Sequence, residues 1–425
     1  MAGNSWAKLN TNNFSDVWVD PADEAAGGFG SPERVILAWS SMAWDSNRGD
    51  LIFWGGGHAN YGGNEVYRWS ANTLEWERGS MPTEVTLVDP TISRYDTIDG
   101  ALNSPVAAHT YDNSEFLPIV DRFVTFGGAA FNTGGNFLIE NPDGSLRSTG
   151  PYFWDPSKAD PDKVGGLTGS AVNPAIEGGQ MWENRDNREN ISMHLINSTT
   201  AYATENGKDV LYIGGRDLWK YTVNDIDDPS QDTYEKVGIY WNSFDGAGAG
   251  AFDPVLNAYV RTANGSFLYW NLDTAGEGNL NVLFTPEDPT GEFALSALYG
   301  MDYDAVRHRF ILWDGNNDLW ELLPPEILGP TGWVVSRITP TGLEQPDVSG
   351  LPIFTVVYGK WKYLPELDLY AGVTDPVSGD IWIYKPEEWS PGPIPQFAVA
   401  APPMGAILLA VPALLLLRRR RAARA

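Results

Sequence analysis

Six times along this chain a short apolar strand pattern runs into a glycine-marked turn and then into a second, aromatic-rich strand pattern. The fullest copy, AWDSNRGDLIFWGGGHANYGGNEVYRWSANTLEW from Ala43 to Trp76, shows an Asp-led turn, a strand, paired glycines, another strand and a closing Trp in order. Weaker copies begin at Thr110, Glu205, Ala251, Asp302 and Leu364. This recurrence constrains the fold more than any single residue does, because units that repeat in sequence stack on one another in space.

The turn glycines fall near Gly56, Gly127, Gly214, Gly265, Gly315 and Gly379, and the tightest interval is the fifty residues from 265 to 315. A period of about 50 with four short strands per unit is the length of a propeller blade, and no helical repeat combines that length with so many glycines and aromatics. The reason is geometric. One four-stranded sheet cannot cover both of its faces, so its apolar side chains are buried only when neighbouring sheets pack around a common axis. Alternating stretches such as NEVYRW (Asn64 to Trp69) and DVLYI (Asp209 to Ile213) fit half-buried strands, and amphipathic helical periodicity is scarce.

The expected fold is therefore an all-β propeller over residues 1–390, with six blades and seven also compatible. The sixth copy runs from Tyr384 and Trp389 straight into a proline-rich stretch and lacks an outermost strand. SWAKLN (Ser5 to Asn10) carries the Trp-x-x-Leu pattern of such a strand, so the N-terminus is predicted to close the ring and protect its open edge. Residues 141–197 have no clear repeat character and are expected to form a long insertion or a cap.

With these motifs the chain resembles the Kelch or galactose-oxidase-like propeller superfamily. Gly55 and Gly56 stand at the family's double-glycine position, Trp69 and Trp76 match its paired aromatics, and Gly127-Gly128 and Gly214-Gly215 repeat the glycines. The resemblance implies a fold and not an activity, since propellers host many unrelated functions. The copper-radical oxidases of that superfamily need a Tyr crosslinked to a Cys, and this chain has no cysteine. Disulfides, thiolate metal sites and cysteine nucleophiles are excluded with it.

The formal charge is −27. Five of the 28 basic residues sit in Arg418 to Arg421 and Arg424, leaving 23 against 55 acids and a body near −32. Such a surface repels phosphate backbones, so no nucleic-acid partner is expected.

The C-terminal end is the second strong signal. AVAAPPMGAILLAVPALLLL (Ala398 to Leu417) carries no charge for twenty residues and is followed at once by four arginines. Twenty helical residues span roughly 30 Å, the thickness of a bilayer core, and arginines on the C-terminal flank predict a cytoplasmic tail with the body outside. The expected division is a proline-rich linker at 391–397, a transmembrane or sorting segment at 398–417 and a basic tail at 418–425. This ending resembles the PEP-CTERM sorting signals read by an exosortase, with Pro393-Ile394-Pro395 or Ala401-Pro402-Pro403 in place of Pro-Glu-Pro. A plain membrane anchor is the alternative. Met1 to Asn10 has neither the basic nor the apolar region of a secretory leader, which an exported chain is expected to carry.

Three of the four histidines fall on turns or strand starts: His58 in GGGHANYGGNE, His109 in AAHTYD and His194 in ISMHLIN. In a propeller, equivalent loops converge on one end of the axis, so residues far apart in sequence can share a pocket. Together with Tyr61, Tyr111, Arg216 and the run Lys360-Trp361-Lys362-Tyr363, these imidazoles would make a locally positive pocket suited to an acidic sugar. Resemblance to propeller polysaccharide lyases implies one chemistry: Arg216 neutralises a uronate carboxylate, His109 or His194 abstracts the C5 proton, and Tyr111 protonates the leaving oxygen. Alternatively His58, His109 and His194 hold a divalent metal, with Asn64 or Glu65 in support.

Each of these residues also has a plainer structural reading. A turn histidine commonly bonds a backbone carbonyl, a propeller tyrosine commonly packs in the core, and lysines alternating with Trp361 fit a strand with one solvated face. His308 is expected on an exposed hairpin. Trp69, Trp76, Trp219, Trp320 and Trp382 fall at repeat positions and are expected to cement the blades, whereas the less regular Trp154, Trp182 and Trp241 are candidates for a binding surface. The leading functional expectation is an exported, surface-anchored glycan or surface-polymer binding module. A polysaccharide lyase or hydrolase using the same face, and a protein-binding scaffold, are the alternatives.

Overall fold

The computed structural model describes residues 1–20, 30–131, 135–188, 191–240, 246–274, 276, 278–352 and 357–390. The expected linker, membrane segment and basic tail all lie outside the described residues, as does Trp241. Among the described residues no helix is long and apolar enough to cross a membrane.

Six four-stranded antiparallel sheets make six blades. Blade 1 runs Ser41–Asp45, Asp50–Trp54, Tyr67–Ser70 and Glu75–Arg78 from the axis outward, and blades 3 to 5 repeat this meander with first strands Thr199–Glu205, Gly250–Asp253 and Gly300–Asp304. Blade 2 takes its two inner strands from Ser114–Leu117 and Arg122–Thr125. Its outer strands, Tyr152–Trp154 and Trp182–Asn184, come from within 141–197. The first strand of each blade touches the first strand of the next, and blade 6 touches blade 1. The ring is closed.

Closure uses the N-terminus, as the Trp-x-x-Leu pattern predicted. Ser5–Lys8 pairs with Ile381–Lys385, Ser5 opposite Lys385 and Lys8 opposite Trp382, and becomes the fourth strand of blade 6. Trp6 is buried among Trp313, Trp361, Trp382 and Tyr384.

The core is divided among the six gaps between blades. Alternation along each strand sends successive side chains to opposite neighbours. In blade 1, Ala43, Ile52 and Trp54 pack toward blade 2 with Phe116, Phe123, Tyr152 and Trp154, while Met42, Trp44, Leu51 and Phe53 pack toward blade 6 with Leu364, Val373 and Ile381. Both faces of an inner strand are therefore apolar. The Asp-led turns have a local cause: Asp45, Asp253 and Asp304 each accept two backbone N–H groups from the turn that follows. Gly49, Asn257 and His308 then take the left-handed position of those turns, which makes exposed His308 a turn residue, as expected.

Candidate functional site

In a four-stranded meander, the loop between the second and third strands and the segment entering the first strand lie at the same end of the sheet. His58, Tyr61, His109, Tyr111, His194, Arg216, Tyr358 and Lys360 all belong to such segments, so they share one face of the ring.

Three glycines shape the end of the ring on the side of blades 1 and 2. A Cβ on Gly57 would lie 2.2 Å from the Ala107 carbonyl carbon, and Gly55 and Gly56 have φ of +134° and +89°. Only glycine lets this loop lie flat against the strand entering blade 2. That contact delivers His58 to His109, their ring centroids 5.4 Å apart. His109 also packs against Trp39 at 4.8 Å and edge-on to Tyr111 at 6.1 Å. Its Nε2 sits 2.7 Å from Asn60 Oδ1, a pairing that places the ring proton on Nε2. Burial, with a smaller contribution from His58, pushes His109 down to about 3, so its imidazole is neutral.

The backbone here is unusual. Trp39, His58, Tyr111 and Tyr358 have φ of +45°, +65°, +54° and +49°, in the left-handed region that bulky side chains rarely enter. Three of them are tied together: Tyr111 N–H donates to the Trp39 carbonyl at 2.7 Å, Gly359 N–H to the Tyr111 carbonyl at 3.3 Å, and the Trp39 side chain is hydrogen bonded to that of Tyr358. His109, Tyr111 and Tyr358 are buried, Trp39 is half-buried and His58 is exposed. Aromatic surface from blades 1, 2 and 6 thus meets at one rim.

Below this rim the axis is filled by charge. Lys362 donates to Glu115 Oε1 at 3.0 Å and lies 3.7 Å from Asp112 Oδ1. Asp112 Oδ2 accepts the N–H of Gly250 at 2.8 Å, Thr200 donates to Glu115 at 3.2 Å, and Asp302 accepts the N–H of Tyr363 at 2.7 Å. Blades 2 to 6 therefore meet through one ion cluster. Burial raises Asp112 to about 7 against the pull of Lys362, and it raises Glu115 and Asp302 as well. For Lys362 burial acts downward, but the three carboxylates together hold its ammonium well above the usual lysine range.

This cluster corrects one expectation. The run at 360–363 is not a strand with a solvated face; all four residues are buried. Lys360 is fully enclosed and burial lowers it to about 7. Trp361 stacks on Tyr370 and donates Nε1–H to the Ile311 carbonyl, and Tyr363 donates to Asp368. Trp154 and Trp182 are likewise core residues rather than a binding surface, filling the gap between blades 1 and 2. Trp69, Trp76, Trp320 and Trp382 are buried as expected, while Trp219 is half-buried.

Tyr61, Asn64 and Glu65 also face inward. Tyr61 and Tyr67 both donate to Glu65 Oε1, at 2.6 and 2.8 Å. Asn64 donates to the Pro105 carbonyl and accepts the Thr83 N–H, fixing the loop that carries His58. His194 and Arg216 line a different pocket, at the base of blade 3's second-to-third-strand turn, to which His58, His109 and Tyr111 do not contribute. Among the described residues no three His, Asp or Glu side chains are arranged to hold a metal ion.

No family model and no curated protein matches this chain. Solved structures similar to it include the major allergen Mala s 1 of Malassezia sympodialis, at 9% identity over 90% of this chain and 95% of that one, with a TM-score of 0.39. An α-L-arabinanase of Penicillium chrysogenum complexed with arabinobiose is similar at 11% identity over 90% of this chain and 100% of that one, TM-score 0.43. An auxiliary nutrient binding protein of Bacteroides thetaiotaomicron follows at 10% identity over 82% and 69%, TM-score 0.40. These likenesses concern the path of the chain. They assign no residue a role.

Proposed function

We propose that this propeller, of the Kelch type, is a glycan-binding module, and that it binds through the aromatic rim formed by Trp39, His58 and Tyr111. The observation that carries the reading is the left-handed backbone of four neighbouring aromatic residues at one mouth of the ring. Each such conformation costs about 1 kcal/mol or more, and costs of this kind concentrate where a surface is held ready for a ligand. Half-buried Trp39 offers a ring face to the C–H groups of a sugar, and exposed His58 and half-buried Asn60 offer polar groups to its hydroxyls. The acidic body suits a neutral ligand.

The chain acts outside the cell, held at the surface through residues 398–417 and open to processing by an exosortase. The sequence of that segment alone supports this part of the reading. A lyase is the second reading, favoured by the contact of neutral His109 with Tyr111.

The test is a panel of neutral and acidic polysaccharides offered to the full chain, with binding followed by calorimetry and lyase activity by absorbance of an unsaturated uronate. Binding without absorbance, weakened at least tenfold by Trp39→Ala, is the expected result. Turnover abolished by His109→Gln would replace the binding reading with the enzymatic one. Silence in both signals would leave the protein-binding scaffold.

A further inference from the structure

In each blade the turn between the first and second strands lies nearest the axis, at the end of the ring opposite the aromatic rim. Neighbouring turns are locked together. Asn47 donates to the Pro118 carbonyl at 3.0 Å, and Asp209 accepts the N–H groups of Ile119 and Val120 at 3.3 and 2.8 Å. The acids of these turns are drawn onto arginines: Arg48 lies 3.1 Å from Asp45 and 2.5 Å from Asp121, and Arg307 lies 3.0 Å from Asp304 and 2.7 Å from Asp368. What protrudes instead is apolar. Ile119, Val255 and Val306 are exposed at the tips of three of these turns, and Ile327, on the turn between the third and fourth strands of blade 5, stands at the same end with 85% exposure.

The chain leaves the ring at this end too. Arg307 donates to the Glu388 carbonyl at 2.7 Å, and the Ser390 N–H donates to Asp368 at 2.6 Å. Between them, exposed Trp389 donates Nε1–H to the Leu367 carbonyl at 2.9 Å, with the Lys385 ammonium 4.0 Å from its ring centroid. Seven residues, 391–397, separate this point from the uncharged stretch at 398–417. At full extension seven residues reach at most about 25 Å.

We infer that this end of the ring rests on a bilayer of zwitterionic lipid, so that the aromatic rim faces away from the membrane. Ile119, Val255, Val306 and Ile327 enter the headgroup layer, and Trp389 with Lys385 lies at its edge. The inference rests on the reading of 398–417 as the membrane segment. Apolar tips gain by leaving water for the boundary between headgroups and acyl chains, a tryptophan ring prefers the headgroup level, and a lysine stem can lie along apolar surface with its ammonium in water. The short tether holds the tips near the bilayer, so contacts too shallow to bind alone suffice. The overall charge of −27 opposes anionic lipid, which selects the zwitterionic surface.

Because the chain has no cysteine, one position at a time can be labelled. Ile327→Cys and Val255→Cys report on this end, and Asn264→Cys, on the exposed second-to-third-strand turn of blade 4, reports on the rim end. Each full-length variant carries an environment-sensitive fluorophore and is reconstituted in phosphatidylcholine vesicles, with and without acyl chains brominated near the headgroup. Blue-shifted emission at positions 327 and 255, quenched by the brominated lipid several-fold more strongly than at 264, is the expected result. Quenching that is equal at the three positions, or absent from all, overturns the inference. So does a blue shift at 327 without quenching, which would assign this face to a second copy or to the chain's own apolar segment. Each of these results leaves the membrane anchor standing as long as the labelled chain floats with the vesicles. A chain that does not float overturns the anchor and the inference together.

Discussion

Removing one side chain at the ring's closure should reveal how much the fold depends on it. Trp6 sits in the outermost strand of blade 6, 3% exposed, in ring contact with Trp313, Trp361, Trp382 and Tyr384. Its Nε1–H donates to the Asn317 carbonyl at 2.8 Å. Burying an aromatic of this size removes about 200 Å² from water, worth about 5 kcal/mol at 25 cal/mol per Å², and measured Trp→Ala changes run about 3–5 kcal/mol. The lost hydrogen bond adds about 1 kcal/mol. Trp6→Ala should therefore destabilise by about 5 kcal/mol, which for a domain of this size lowers Tm by about 6 °C at an unfolding entropy of about 2.1 cal/mol/K per residue. Differential scanning calorimetry measures it, with fully exposed Leu343→Ala as the neutral control. Deleting residues 1–10 should do more, because it also exposes the edge of Ile381–Lys385. A Tm for Trp6→Ala within 1 °C of wild type would refute closure by the N-terminal strand.

Two further substitutions probe the buried charges. Lys362→Met leaves Asp112, Glu115 and Asp302 without their cation, at a cost of about 3–5 kcal/mol. Because these carboxyl groups are raised in the folded protein, their ionisation opposes folding as pH rises, from about 4 toward about 7 for Asp112, so the loss should be larger at pH 8 than at pH 5 in urea unfolding. An equal loss at both would contradict the cluster. His109 has the opposite sign: its pKa is lowered in the fold, so stability falls as pH drops below the unfolded value near 6.5, by about 1.4 kcal/mol per pH unit. His109→Gln should flatten that slope, and the His109 ring should keep neutral NMR shifts from pH 8 to 4; a midpoint near 6 would show that it is not buried.

What was legible in the sequence was what repeats locally. Asp45, Asp253 and Asp304 bond their own turns, so the turns appear wherever the residue does. The glycines before His58 signal a close approach of backbone to backbone, and they deliver that histidine to His109. What was not legible depends on partners far away. Lys362 pairs with Glu115 across 247 residues, so its strand reads as half-solvated although its charge is satisfied inside the axis. A charge of each sign set among aromatics, as in MDYD at 301–304 and WKYL at 361–364, was the available hint. Trp154 and Trp182 escaped the repeat because long connections separate the strands of blade 2 and break the period.

The left-handed cluster was invisible for the same reason. Trp39, Tyr111 and Tyr358 come from three segments, and no residue pattern marks a strained aromatic as glycine marks a tight turn.

Titration of neutral polysaccharides into the full chain and into Trp39→Ala, by calorimetry, tests the central claim most directly. A saturable heat of binding in wild type, lost or weakened at least tenfold in a variant that retains the wild-type Tm, is the predicted result. Binding of equal strength in both proteins would show that the ligand, whatever it is, does not use this mouth of the ring.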